Sequence, residues 1–338
     1  MSVNRLKRLA GKSRNAWYRR PRLTIVSSAY VRETRATAAG ISKYKQNHSS
    51  GQNRYLLRRN VHMLEKGLTM EPRRETFAVG YVEETVDALK LVIETDPRAV
   101  DDLEVRWMIN VLSDYFVATA ESKDATIRRA HQTFALLGSD VLGQFSGYGP
   151  HVPEFSTAPL TIEQLENLAH SRRSIRWFDG RHVSSATVDR AMCVAAESPT
   201  ACNRQPYRFA IFNDSASAAR IAALAMGTAG YVHQLVGLAV VVGQLGAFFD
   251  ERDRHLIYID GSLAAMSFIY GLEAQGVASC IINWPDIPER ELKMARALNL
   301  EKHERVVMLI AYGYPKPGSL APRSIKSALE SIREFRKA

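Results

Sequence analysis

Cysteine is scarce in this chain. The three present, Cys193, Cys202 and Cys280, are far apart, odd in number and without Cys-x-x-Cys pairing, which excludes a disulfide framework and a cysteine-based zinc site. Long apolar runs are missing too. No stretch reaches the roughly 18 uninterrupted apolar residues of a membrane-spanning helix, and Leu23 to Val31, with its serines, is a poor signal-peptide core. An unprocessed protein of the reducing cytoplasm is therefore expected. No Gly-x-Gly-x-x-Gly follows a candidate strand, so a dedicated dinucleotide-binding domain is not expected either. Acidic residues are almost absent from the N-terminal part: residues 1–60 hold fifteen Lys/Arg against the single acid Glu33, a net +14, so with +10 for the whole chain the remainder is net −4. Within it, residues 1–24 carry no acid at all, and such a block repels itself and resists folding alone. It suits a solubilising extension, and also contact with nucleic acid or an anionic membrane.

What the chain does contain is enough to fold. Its 338 residues are 46% hydrophobic and 24% charged, and at roughly 150 residues per domain two domains are expected. Residues 1–50 read as a basic, poorly ordered arm. Residues 51–150 read as a helical N-terminal domain, because Leu103, Trp107, Met108, Val111, Leu112, Tyr115 and Phe116 recur at spacings of three and four between Asp101 and Ala120. Tyr81 to Glu94 and Ala125 to Leu142 share that rhythm. The turn-rich Ser146 to Pro150, with Pro153, marks a boundary.

Beyond the boundary, helices interleave with short β-branched runs. Thr161 and Gln164 form a capping-box pattern opening a helix over Ile162 to His170. Ser184 or Ser185 caps a second helix that buries Val188, Ala191, Met192 and Ala195 and ends before Pro199. Strands are expected at Tyr207–Phe212, Leu238–Val242, Ser279–Asn283 and Val306–Tyr312. The stretch from His255 to Gln275 is apolar on nearly all sides and predicts a buried central helix closed by Gly276.

Two segments carry the chemistry. Arg172-Arg173-Ser174-Ile175-Arg176 places three guanidiniums and a hydroxyl within five residues, a donor array suited to phosphate or another planar anion. The same residues also fit a solvated basic helix end. Ser198-Pro199-Thr200-Ala201-Cys202-Asn203-Arg204-Gln205-Pro206-Tyr207 offers the amides of Asn203 and Gln205 in a proline-fixed loop, suited to reading the edge of a heteroaromatic ring or serving as an ordinary helix-to-strand turn. A third stretch, His62 to Leu68, sets His62, Glu65 and Lys66 on one helix face. One His-x-x-Glu is too little for a metal site, and none is expected; a structural role or a lid is.

In this order the segments resemble the nitroreductase family, whose signatures are Arg-Arg/His-Ser-x-Arg/Lys followed by Pro-Ser-x-x-Asn-x-Gln-Pro-Trp. Gly276 to Cys280, Pro315 and Pro322-Arg323 extend the resemblance over about residues 160–325. It implies an α+β fold, a nitroreductase-like mixed sheet flanked by helices in an FMN-binding domain over 155–338, dimeric, and preceded by the helical domain. It further implies that FMN is held by Arg172, Arg173, Ser174 and Arg323, with Arg176 at the pyrimidine edge. Pro199, Thr200, Ala201, Asn203 and Gln205 would reach the flavin across a homodimer interface. Where many members have Glu-Gly, this chain has Asn283-Trp284; Asn283 would take the catalytic place, and Trp284 would cover the ring or pack against Pro285. The implied activity is hydride transfer from NADPH or NADH through FMN to a nitroaromatic, quinone or enone. Alternatives are a specialised flavin-dependent biosynthetic dehydrogenase or reductase, such as one serving polysaccharides, and a non-catalytic binding protein using the basic arm.

Overall fold

The computed structural model describes residues 28–142, 147–152 and 160–336. The basic block at 1–24 and the turn residues Ser146 and Pro153 lie outside them. The expected poorly ordered arm is corrected from Ser28 onward. Ser28–Ser49 is a helix, α1, that buries Ala36, Thr37 and Tyr44. Its basic side chains find acids in distant parts of the chain: Arg32 pairs with Asp286 at 2.7 Å and Lys43 with Glu301 at 3.6 Å. Such partly exposed pairs are each worth under about 1 kcal/mol, so the buried side chains hold the helix and the pairs lessen its self-repulsion.

The helices that follow share one core. They are α2 (Arg54–Leu68), α3 (Val82–Thr95), α4 (Leu103–Ala118), α5 (Ala125–Ala135) and the short α6 (Ser139–Leu142). Asn53 starts α2 by accepting from the Leu56 amide, and its own amide donates to Tyr44 O, tying α1 to α2. Val61, Leu64, Val86, Leu89, Met108 and Leu112 are fully buried between these helices. The expected stripe on α4 is buried from Met108 to Phe116, while Leu103, on its first turn, faces solvent.

The rest of the chain is a sheet covered on both faces. In chain order it contains α7 (Ile162–Ser171), α8 (Ser185–Ala196), β1 (Tyr207–Phe212), α9 (Ser215–Ala222), β2 (Gly237–Gln244), α10 (Leu256–Glu273), β3 (Ala278–Asn283), α11 (Pro288–Leu298) and β4 (Glu304–Gly313). The strands lie in the order β1-β2-β4-β3, and each neighbouring pair is antiparallel. Side-chain alternation in β2 divides the core. Leu238, Val240 and Val242 meet Ile221 and Met294 on one face, and Ala239 and Val241 meet Val188, Phe268 and Leu272 on the other. Both caps read from sequence are present: the reciprocal Thr161–Gln164 box and Ser184 on the Thr187 amide. Gly276, at φ +72°, closes α10 with the Val277 amide on Leu272 O and its own amide on Glu273 O.

Two features of α10 shape the molecule. It is not buried on all sides, since Ile259 and Leu263 are 48% and 44% exposed. On its inner side Gly271 lies against α8, where a Cβ would stand 2.8 Å from Ala191 Cα. Among the described residues no helix is long and apolar enough to cross a membrane. Gly271→Ala is expected to cost about 1–3 kcal/mol through overpacking, read as a lower urea-unfolding midpoint at unchanged slope. An unchanged midpoint would mean that α8 and α10 separate freely.

Candidate functional site

The basic stretch is fixed by backbone pairing before its side chains do anything. The Arg172 amide closes α7 on Leu168 O, and the chain then runs extended along β3, with Ser174 bridging Ser279 in the parallel sense and the Ile175 amide donating to Ser279 O at 3.0 Å. Phe178 bridges Pro315 just after β4, and the Asp179 amide donates to Tyr314 O. The segment after β4 therefore passes close to the same edge. Between them opens a cavity of about 710 Å³, lined by Arg172, Arg173, Ser174, Arg176, Arg323 and Lys326 among others.

Charge defines this cavity. None of its lining residues is acidic, and among the described residues none of its four arginines forms an ion pair with a carboxylate. Guanidiniums left without acids at one opening, in a volume typical of a small-molecule pocket, fit an anionic ligand. Two of them are oriented by their surroundings. Arg173 Nη1 donates to Arg172 O, while Arg176 donates to Ser174 O and lies 5.8 Å from the Tyr231 ring centroid. Behind Ser174, burial pushes the Cys280 thiol up, opposed by the nearby Arg176 charge, so it stays protonated. Burial likewise raises the Tyr231 hydroxyl. Sequence reading passed over Tyr231, because nothing local ties it to an arginine 55 positions earlier.

The second segment lies elsewhere. None of Pro199, Thr200, Ala201, Asn203, Gln205, Asn283 and Trp284 lines the cavity. The loop is no ordinary turn: Cys202, Asn203 and Gln205 all adopt left-handed φ near +50°, each such residue costing about 1–3 kcal/mol unless its surroundings impose it. Here they do. Thr200 Oγ1 accepts from the Gln205 amide, Gln205 Nε2 donates to Asn203 Oδ1, and the Ala201 amide donates to Asp260 Oδ2 at 3.1 Å. From α2, Arg58 donates to Arg204 O. Pro199 is exposed at the loop's start.

Asn283 is exposed at the end of β3. Of the two readings of Trp284, covering the ring or packing, the structure shows packing. The residue is 7% exposed, its indole N–H donates to Glu291, and Glu291 in turn pairs with Arg305, so it packs in the core beside Met294 and Val306. In α2, Glu65 accepts from the Trp107 indole rather than pairing with His62, whose basicity burial lowers.

Burial pushes the Asp260 carboxyl above the usual carboxylate range, and the Ala201 amide and Arg204 only partly offset this. A folded pKa above the unfolded one means that folding binds a proton here. This group's contribution is then largest below the unfolded value of about 3.9 and is lost as pH rises through the raised folded value. Asp260→Asn keeps an acceptor for Ala201 without the charge, so its thermal midpoint should gain on the wild type as pH rises from about 4 to about 7. A pH-independent difference would remove Asp260 from this linkage.

No curated protein sequence matches this one. Among solved structures, the chain resembles a nitroreductase family protein from Streptococcus pneumoniae TIGR4 at 23% identity and TM-score 0.44, over 51% of this chain and 100% of that one. It also resembles an FMN-dependent nitroreductase from Clostridium difficile R20291 at 16% identity and TM-score 0.43, over 51% and 98%. A nitroreductase family protein from Clostridium novyi NT shares 22% identity at TM-score 0.41, over 45% and 85%. The model of the nitroreductase family matches residues 169–234 and 237–314, a span that takes in the basic stretch, the strained loop and all four strands. Residues 169–234 and 237–314 are thus similar to the nitroreductase family, and the N-terminal helices lie outside that match.

Proposed function

We propose that the chain is an FMN-dependent oxidoreductase, working as a homodimer in the reducing cytoplasm, that moves hydride from NADPH or NADH to an electron-poor nitroaromatic, quinone or enone. The acid-free cavity carries this reading, because its cations come from two segments distant in sequence, 172–176 and 323–326, and leave room for more than a lone ion. FMN, when bound, supplies reversible two-electron chemistry. Arg172, Arg173 and Arg323 hold its phosphate by charge-assisted hydrogen bonds, and Ser174 adds a hydroxyl. Arg176, already oriented by Ser174 O and Tyr231, keeps a fixed cation beside the ring edge where negative charge develops.

The dimer follows from what one chain leaves undone. Its strained loop does not reach its own cavity, so Pro199, Thr200, Ala201, Asn203 and Gln205 serve the cavity of a second copy, with the Asn203 and Gln205 amides reading the ring. Supporting this, Ile259 and Leu263 on α10 and Leu320, Ile325, Ile332 and Phe335 beyond β4 expose apolar surface, which favours burial against another protein surface. Asn283, at the exposed end of β3, stays in the site, and Trp284 supports it from the core. All three cysteines are free thiols.

The first test is an absorbance spectrum of the purified protein supplied with FMN, then anaerobic NADPH or NADH. A flavin band that bleaches is expected; no band at all would overturn the reading. Arg323→Ala should weaken FMN by about ten- to a hundredfold, the worth of a hydrogen bond to a charged group, and leave riboflavin nearly untouched. Equal losses for both flavins would end the phosphate role. Arg176→Ala should slow flavin reduction by about tenfold or more, and an unchanged rate with bound flavin would remove it from the chemistry.

A further inference from the structure

A second cavity, of about 570 Å³, opens where α1, α2 and α3 meet the turn after β2. Its lining includes Tyr44, Lys45, His48, Arg59, Glu84 and Phe249. It shares no lining residue with the Arg172–Arg323 cavity. Neither Lys45 nor Arg59 forms an ion pair among the described residues. Arg59 is held in place: its Nη1 donates to Asn60 Oδ1 at 2.7 Å and its guanidinium lies 5.3 Å from the Phe249 centroid. Arg252 stands at the same distance from that ring, but Asp250 and Asp253 balance its charge.

A deeper cation adds to the imbalance. Arg204 is only 3% exposed; its Nη1 donates to Ala201 O, but among the described residues its Nε has no hydrogen-bond partner and no carboxylate forms an ion pair with it. Its charge is felt by Arg59 and Tyr44, both on the cavity wall. Two guanidiniums so placed repel each other, and an unpaired buried charge is costly. An anion seated in the cavity lowers both energies.

The remaining wall narrows the chemistry. Glu84 is the only carboxylate among the lining residues and accepts one long bond, 3.4 Å, from Asn60 Nδ2. A carboxylate only accepts hydrogen bonds, so its open oxygens suit the hydroxyls of a ligand and not its anionic end. Guanidinium and ammonium match phosphate. Leu56, Tyr44 and Phe249 supply apolar surface between the two ends, and burial holds the Tyr44 hydroxyl protonated by raising it to about 12.

We propose that this cavity is a second anion site, taking the phosphate of a hydroxyl-bearing phosphate ester between Arg59 and Lys45 while Glu84 accepts from the ester's hydroxyls. Such an ester is a sugar phosphate or another phosphorylated polyol. The site joins α1 and α2 to the turn at Phe249, and α2 also holds the strained loop through Arg58. Its occupant therefore binds where the N-terminal helices meet the sheet portion of the chain.

The test is calorimetric titration of the full chain, supplied with FMN, with glucose 6-phosphate and inorganic phosphate at constant ionic strength. One glucose 6-phosphate per chain is expected, bound more tightly than inorganic phosphate. Lys45→Gln and Arg59→Gln should each weaken it about tenfold or more, whereas Arg173→Ala, which alters only the first cavity, should leave it unchanged. Glu84→Gln should narrow the gap between ester and inorganic phosphate. Lys45 is exposed on α1, so its variant remains informative if Arg59→Gln destabilises the chain. The proposal is overturned if neither probe binds, or if binding survives both Lys45→Gln and Arg59→Gln. Loss with Arg173→Ala instead would assign the anion to the first cavity, and equal affinity for both probes, unmoved by Glu84→Gln, would end the hydroxyl role.

Discussion

A single backbone hydrogen bond, from the Ile175 amide to Ser279 O, fastens the basic stretch to the edge strand β3. An edge strand presents unpaired donors and acceptors, and here the extended chain after α7 takes them up in the parallel sense. The pairing has a direct consequence for the side chains. Arg172, Arg173 and Arg176 cannot follow a helix out into water, and they stay beside the segment that returns after β4 with Arg323. Phe178 against Pro315 repeats the clasp a few residues on. Without these contacts the arginines would be a solvated helix end, the other reading that their sequence allows.

Like charges gathered in this way do not hold a fold together. Their repulsion must be borne by packing elsewhere, and the sheet supplies it, with β2 buried along its whole length and covered on both faces. The same division of labour recurs in the N-terminal helices. There Arg59 and Arg204 feel each other's charge, neither in an ion pair among the described residues, beside the buried core of α2 to α5. In both places the like charges are maintained by a close-packed core around them.

The strained loop shows how the two portions depend on each other. Three left-handed residues among the four from Cys202 to Gln205 need imposed geometry, and it comes from both sides. Asp260 on α10 accepts from Ala201, and Arg58 on α2 donates to Arg204 O. The helical portion is thus part of the scaffold for a loop that lies within the span similar to the nitroreductase family. That similarity spans residues 169–234 and 237–314, while the loop's geometry rests partly on Arg58, which lies outside it.

Much of this was legible in the sequence, for local reasons. The four strands, the Thr161–Gln164 box, the Ser184 cap and the Gly276 closure depend on side-chain alternation and on hydrogen bonds spanning a few residues, and periodicity reports both. The arginine cluster was legible as a donor array for the same reason. Other features were not. The order of α1 depends on the burial of Ala36, Thr37 and Tyr44 and on charge partners some 250 positions away, and a charge run read alone looks solvated. Trp284 became a core residue because Glu291 and Arg305 stand beneath it. Exposure of Ile259 and Leu263 on a helix apolar all round depends on which faces the sheet and α8 happen to cover. The sequence by itself determined the elements, their caps and the residue types available for binding an anion. Tertiary structure alone decided which cations share a cavity, which lie unpaired and which aromatic is buried, because those outcomes depend on chain segments brought together over long separations by packing that no local pattern records.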